Sequence, residues 1–232
     1  MNEQYVPIGR VARWSMILLA AIVVLDVIAG LSDLAEIRLL DRILEGEPVT
    51  DDEADASDTR QGVIGAVQFL VYAATAFVFI RWFRRAYRNL APLGAERTRY
   101  KSWWTIAGWF IPIWNVFRPK QLLNDIWRGS DPRLPSRTDA WRDGDVPGLF
   151  LLWWLLWIAS TYADQVALRL TFTGDTPDEL RNGSIAYLVT DAVDAVLALL
   201  AIVVVRMTTA RQEERAAALG AAYGALPADD ET

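Results

Sequence analysis

Apolar residues gather into four long runs and one broken one, and the polar positions between them organise the rest of the chain. The long runs are Val11 to Leu31, Gly62 to Phe83, Val146 to Leu168 and Ser184 to Val205. A helix needs about 20 mostly apolar residues to cross roughly 30 Å of hydrocarbon, and each run meets that length. Trp103 to Phe117 is apolar but shorter, with Pro112 inside it and Asn115, Arg118 and Pro119 close by. KQLLNDIW follows from Lys120 to Trp127 with the spacing of an interfacial helix. Leu122, Leu123, Ile126 and Trp127 are expected towards lipid or core, and Lys120, Asn124 and Asp125 towards water. The pattern predicts an all-α integral membrane protein. It has four transmembrane helices plus a Pro-broken re-entrant or interfacial segment at 103–117; the alternative is five spans, with the broken segment crossing.

The polar stretches supply the remaining boundaries. Residues 1–10 form a short tail. Within 32–61, Leu34, Ile37, Leu40, Ile43 and Leu44 recur at helical spacing among charged residues. That spacing predicts an amphipathic surface helix or a continuation of the first run. EGEPVTDDEADASD then reads as a solvated acidic outer loop, since it carries too little apolar surface to fold alone. Its Asp51, Asp52, Glu53, Asp55 and Asp58 lack the spacing of an EF-hand loop, so calcium binding is not favoured. The membrane domain spans 11–206, and 207–232 is expected to be a disordered cytoplasmic tail. The first run is too long for a signal peptide and no A-x-A site follows it, so it is read as a retained helix.

Composition narrows the chemistry. The chain has 232 residues, 53% hydrophobic and 22% charged, with 11 Trp and neither Cys nor His. Mean hydropathy is +0.17. Disulfides, thiolate chemistry, zinc fingers, His- or Cys-held haem and Ser-His or Cys-His nucleophiles are excluded. A net charge of −6 argues against nucleic acid. Arg81, Arg84, Arg85, Arg88, Arg97, Arg99 and Lys101 crowd one membrane face, which the positive-inside rule makes cytoplasmic. The four-span topology leaves only Arg38, Arg42, Arg60, Arg169 and Arg181 outside and the other 18 of 23 basic residues inside, with both termini cytoplasmic. The same Arg81–Lys101 stretch is a candidate surface for anionic lipid.

Polar residues inside the spans are the functional lead. Asp26, Asp164, Asp191 and Asp194 fall in the outer half of their spans in this topology. A carboxylate at the centre of a span costs on the order of 2.5–3.5 kcal/mol to insert. Tyr187, Asp191 and Asp194 stand at i, i+4 and i+7, one stripe of one helix. Gln68, Tyr72 and Thr75 repeat the pattern on the second span, and Ser160 and Asp164 form a shorter pair on the third. The stripes are expected to converge on a polar site of Asp26, Gln68, Tyr72, Asp164, Tyr187, Asp191 and Asp194. Close carboxylates repel, so one should be protonated or paired; Arg169, Arg38, Arg42 and Arg60 are candidate partners. Trp14, Trp82, Trp103 and Trp104 are expected as interfacial anchors, and Trp153, Trp154 and Trp157 as lipid-facing bulk or helix packing.

Three pieces carry a family resemblance: RWFRRAYRNL, the pattern W-x4-W-x2-P-x2-N met by Trp104, Trp109, Pro112 and Asn115, and RPKQLLNDIW. Together they resemble an actinobacterial membrane family catalogued as domain of unknown function 4328. The resemblance covers about Gly62 to Val205, with the first helix included. Its most specific part is the motif of Trp109, Pro112, Asn115, Arg118 and Pro119. It implies a multi-span α-helical protein and carries over no catalytic residue.

Two roles follow. The first is a structural or interaction module of the cytoplasmic membrane, with carboxylates bonded across helices, and with a homo-oligomer or another membrane protein as partner. The alternative is cation- or proton-dependent transport or channel activity through the outer-half carboxylates. An enzyme is not expected. The G-x-G-D turn of intramembrane aspartyl proteases and the D-G-x2-A-R of CDP-alcohol transferases are both missing. Nothing calls for a cofactor or a metal.

Overall fold

A computed structural model of the chain describes residues 4–135 and 137–224. Among the described residues six α-helices are formed: α1 Gly9–Leu44, α2 Asp51–Arg88, α3 Trp104–Phe110, α4 Arg118–Gly129, α5 Gly148–Thr173 and α6 Pro177–Gly224. Short 3-10 turns cover Trp114–Val116 and Ala140–Asp143. Among the described residues, extended pairing is limited to an isolated bridge between Ala95 and Thr138. Helices α1, α2, α5 and α6 are long and apolar enough to cross a membrane. Helix α3 has seven residues and rises roughly 10 Å, about a third of the hydrocarbon thickness, so it does not make a fifth span.

Two stretches read as irregular are helical instead. The acidic residues from Asp51 to Asp58 are the first turns of α2, not a loop, and α1 runs on to Leu44. The cause is a reciprocal cap. Glu53 N–H donates to Thr50 Oγ1 at 3.3 Å, while the Thr50 N–H donates to Glu53 Oε2 at 3.0 Å. Asp51, Asp52 and Glu53 then sit where the helix dipole favours negative charge. The same cap opens α6: Glu179 N–H donates to Thr176 Oγ1 at 3.3 Å and Thr176 N–H to Glu179 Oε2 at 3.2 Å. The expected disordered tail is likewise helix as far as Gly224; residues 225–232 lie outside the described residues.

The chain divides into two compact units. One takes the described residues of Met1–Met16, Phe77–Leu151 and Val203–Thr232. Its core holds Trp82, Phe83, Leu90, Leu93, Leu122, Leu123, Ile126, Trp141 and Phe150, all buried. Trp82 is therefore not an interfacial anchor; its Nε1–H donates to Thr209 Oγ1 at 3.0 Å. The inward stripe at the end of α6 supplies donors to the last turn of α2 and to the irregular backbone beyond it. Gln212 Nε2 donates to the Ala86 carbonyl at 3.0 Å, and Arg215 donates to the carbonyls of Leu93 (3.2 Å), Leu134 and Pro135 (2.6 Å).

In the same unit the broken segment turns back onto α4. Helix α3 ends at Phe110 with Ile111 as its C-cap, and Ile113, just past Pro112, takes φ 70° before the 3-10 turn. Arg118 then lies in an aromatic box, its guanidinium 4.0 Å from the Tyr100 ring centroid, 4.6 Å from Trp104 and 4.7 Å from Trp114. A Cβ on Gly108 would stand 2.9 Å from Arg118 Cγ, so α3 can lie this close only without a side chain there. Leu122, Leu123 and Ile126 of α4 face the core as expected, but Asp125 does not face water. It is fully buried, with Arg99 Nη2 at 3.6 Å. Burial raises its pKa to about 6, and Arg99, Arg128, Arg142 and Arg118 only partly oppose the shift.

The other unit takes Ile17–Ala76 and Leu152–Ile202, the portions of α1, α2, α5 and α6 richest in span residues. Gly183 approaches Thr171 so closely that a Cβ would meet its Oγ1 at 2.7 Å. Gly62 and Gly65 have open space instead, so they do not serve helix packing among the described residues. Val63, Val67, Phe69 and Leu70 are exposed around them, as a lipid-facing surface would be. Trp153 and Trp154 are buried, and the rings of Trp154 and Trp157 stack at 4.8 Å.

Candidate functional site

The predicted polar stripes meet within this second unit. Gln68 on α2 reaches Asp26 on α1 and Asp191 on α6, its Nε2 standing 3.4 Å and 3.3 Å from one oxygen of each. One turn further along α2, the Tyr72 hydroxyl stands 3.1 Å from Asp26 Oδ1 and 3.4 Å from Asp194 Oδ2. Ser160 on α5 donates to the other oxygen of Asp194. Asp164 lies one turn beyond Ser160 and within electrostatic reach of Asp194, with Thr190 beside it. Tyr187 faces Asp164, Asp191 and Asp33 and accepts or gives no bond to Asp26, Gln68 or Tyr72. All seven expected residues thus belong to one neighbourhood, five of them joined directly.

The network extends beyond the stripes expected from the spans. The carboxyls of Asp33 on α1 and Asp191 on α6 stand within reach of each other. Gln61 Nε2 donates to Asp33 Oδ1 at 3.1 Å, and Ser32 Oγ donates to Gln61 Oε1 at 3.1 Å. Arg60 donates to Ser32 Oγ at 2.9 Å and to Ser57 Oγ at 2.7 Å, and Ser57 donates to Glu36. The signal was available: Gln61, Gln68 and Thr75 stand at i, i+7 and i+14, one stripe of α2. The acidic composition just before Gln61, which suggests a loop, hid it. Of the four suggested counter-charges, Arg60 reaches the network, with Glu36 at 3.6 Å. Arg42 pairs with Glu47 and Glu53 instead.

Burial and access set what these groups can do. Asp26 is 2% exposed and Asp33 5%. The Oδ2 of each is buried and accepts no hydrogen bond from a donor among the described residues. A cavity of about 660 Å³ opens against Asp33, Glu36, Gln61, Gln68, Tyr187 and Asp191. Among the described residues no three carboxylates converge tightly enough to hold a metal ion. The carboxylates are spread along the helices in pairs rather than gathered at one point.

The broken-segment motif contributes elsewhere. Trp109 packs edge-on against Phe79 and Phe83, at 5.8 Å and 5.7 Å. Pro112 ends α3, the Asn115 backbone N–H donates to the Ile111 carbonyl at 3.0 Å, and Pro119 sits in the first turn of α4. With Arg118 in its aromatic box, these residues build the turn.

A family model described as a domain of unknown function (DUF4328) matches residues 45–210. The chain belongs to the DUF4328 family. The matched region takes in α2 to α5 and most of α6, so it holds Gln68, Tyr72, Asp164, Asp191, Asp194 and the whole broken-segment motif. It begins after α1, which the resemblance had included; Asp26 and Asp33 therefore stand outside the DUF4328 match. No curated protein and no solved structure matches the chain. The family and the four spanning helices make this a membrane-embedded protein.

Proposed function

We propose that this protein acts in the cell membrane through proton binding at the carboxylate cluster, passing protons between the cavity and the interior of the four-helix unit. The observation that carries this reading is the pairing of Asp33 with Asp191. Two carboxylates this close repel when both are charged, and Asp33 Oδ2 has no described donor to relieve it. One shared proton removes the repulsion and supplies the missing donor. Tyr72 repeats the logic: a phenol carries a single hydrogen, yet its oxygen stands between Asp26 and Asp194. The cavity gives the protons a route in. The charge distribution supports a cytoplasmic position for both termini, with the cluster in the outer half of the membrane.

A second reading is favoured by one specific observation. Gln68, Tyr72 and Ser160 each join carboxylates on helices other than their own, so the same contacts could serve only to hold α1, α2, α5 and α6 together. This is the structural or interaction module, and neither reading asks for an enzyme. Proton flux into liposomes under an imposed potential separates them. Flux in the wild type that is lost in a folded Asp191→Asn, Asp194→Asn variant is the outcome expected for proton transfer. Flux in neither, with a lower melting temperature in the variant, would leave the carboxylates as packing groups.

A further inference from the structure

Within the Arg81–Lys101 stretch, the first unit contains a defined basic cavity. Arg81, Arg84, Arg85 and Arg88 stand at i, i+3, i+4 and i+7 on α2, one face of the helix. They line a cavity of about 460 Å³ with Gln4, Val6 and Asn89. No acidic residue is among these lining groups, and Arg81, Arg84 and Arg85 form no ion pair with a described carboxylate. Like charges at these spacings repel and destabilise a helix unless an anion sits between them.

The N-terminal segment at the cavity is fixed in place. Asn89 is 2% exposed; its Oδ1 accepts from the Val6 N–H at 3.2 Å, and its Nδ2 donates to the Val6 carbonyl at 2.8 Å. The same amide donates to Gln212 Oε1 at 2.9 Å, which ties it to α6. The segment before α1 is thereby strapped across the arginine row. Two of the other basic residues expected at this surface are engaged elsewhere: Arg97 pairs with Asp139 at 3.3 Å and Arg99 with Asp125.

The position of the row says what anion fits. Between Gly62 and Ile80 helix α2 carries no charged residue, and Arg81 is the first to follow. A charge that directly ends an apolar span lies at headgroup depth, where lipid phosphates are concentrated. We infer that this cavity binds a phosphate anion in the fork of Arg81, Arg84 and Arg85, supplied by an anionic phospholipid headgroup or by free phosphate.

The test uses the full chain in neutral detergent, with short-chain phosphatidylglycerol, short-chain phosphatidylcholine and inorganic phosphate as separate probes. Thermal stabilisation and direct titration are read for the wild type and an Arg84→Gln, Arg85→Gln variant. Phosphatidylglycerol is expected to bind and to raise the melting temperature, and the variant to bind about thirtyfold more weakly, roughly fivefold per arginine. An Arg84→Lys, Arg85→Lys variant keeps the charge and controls for folding; it should retain most of the binding. Phosphatidylglycerol binding far more tightly than phosphate identifies a lipid site, and equal binding with mutual competition identifies free phosphate. Phosphatidylcholine binding as well as phosphatidylglycerol, or a glutamine variant that binds like the wild type, overturns the proposal.

Discussion

Asp125 shows how a single residue can escape a periodicity argument. In KQLLNDIW it sits beside Ile126 and next to polar Asn124, and helical spacing alone assigns it to water. The nearby turn around Asp139 to Gly144, invisible in the local pattern, covers that side of α4 and brings Arg142 within electrostatic reach. Its carboxyl, normally near 3.8, is raised to about 6, mainly by burial. Between those two values the folded protein keeps a proton that the unfolded chain has released, so stability falls as pH rises through this window. Above pH 6 the penalty is about 3 kcal/mol. Asp125→Asn is therefore expected to be the more stable protein at pH 8, with the gain vanishing towards pH 4, in chemical denaturation followed by tryptophan fluorescence. A variant less stable than wild type at pH 8 would mean that the Arg99 pair outweighs the cost of burying the charge. The aspartates of the spans were more legible: Asp191 and Asp194 share a stripe with Tyr187, and only their meeting with Asp33 required the fold.

At the scale of the element, run length and composition gave the four spanning helices, and the Pro112 break gave the turn. Helix ends were harder. Thr50-x-x-Glu53 and Thr176-x-x-Glu179 are capping boxes written openly in the sequence, yet acidic composition suggested loop at the first of them. The far end of α6 was illegible for a different reason. Its inward stripe is polar (Thr208, Gln212 and Arg215), so it carries no apolar signature, and its partners are carbonyls from distant parts of the chain. Arg215→Ala leaves the buried carbonyl of Leu93 and the half-exposed carbonyls of Leu134 and Pro135 without this donor and should cost about 1–3 kcal/mol. The check is the unfolding midpoint of the full chain in detergent. A change within about 0.5 kcal/mol would mean that water replaces the guanidinium there and that the helix end is held by other contacts.

For the whole molecule, one polar network runs through the four-helix unit, from Glu36 and Arg60 to Asp194 and Ser160, in a chain whose remaining span surface is apolar. Such a network inside a membrane must be satisfied internally or share protons. The decisive claim is that the Asp33–Asp191 pair holds a proton at neutral pH. Infrared titration of the carboxylic C=O stretch addresses it directly, in an Asp125→Asn background that removes the buried acid outside the four-helix unit. At pH 7.5 a protonated carboxyl band is expected, and it should weaken when Asp33→Asn and Asp191→Asn are added together. A spectrum with no protonated carboxyl at that pH, or a band unchanged by those two substitutions, would contradict proton sharing and leave the network as interhelical packing.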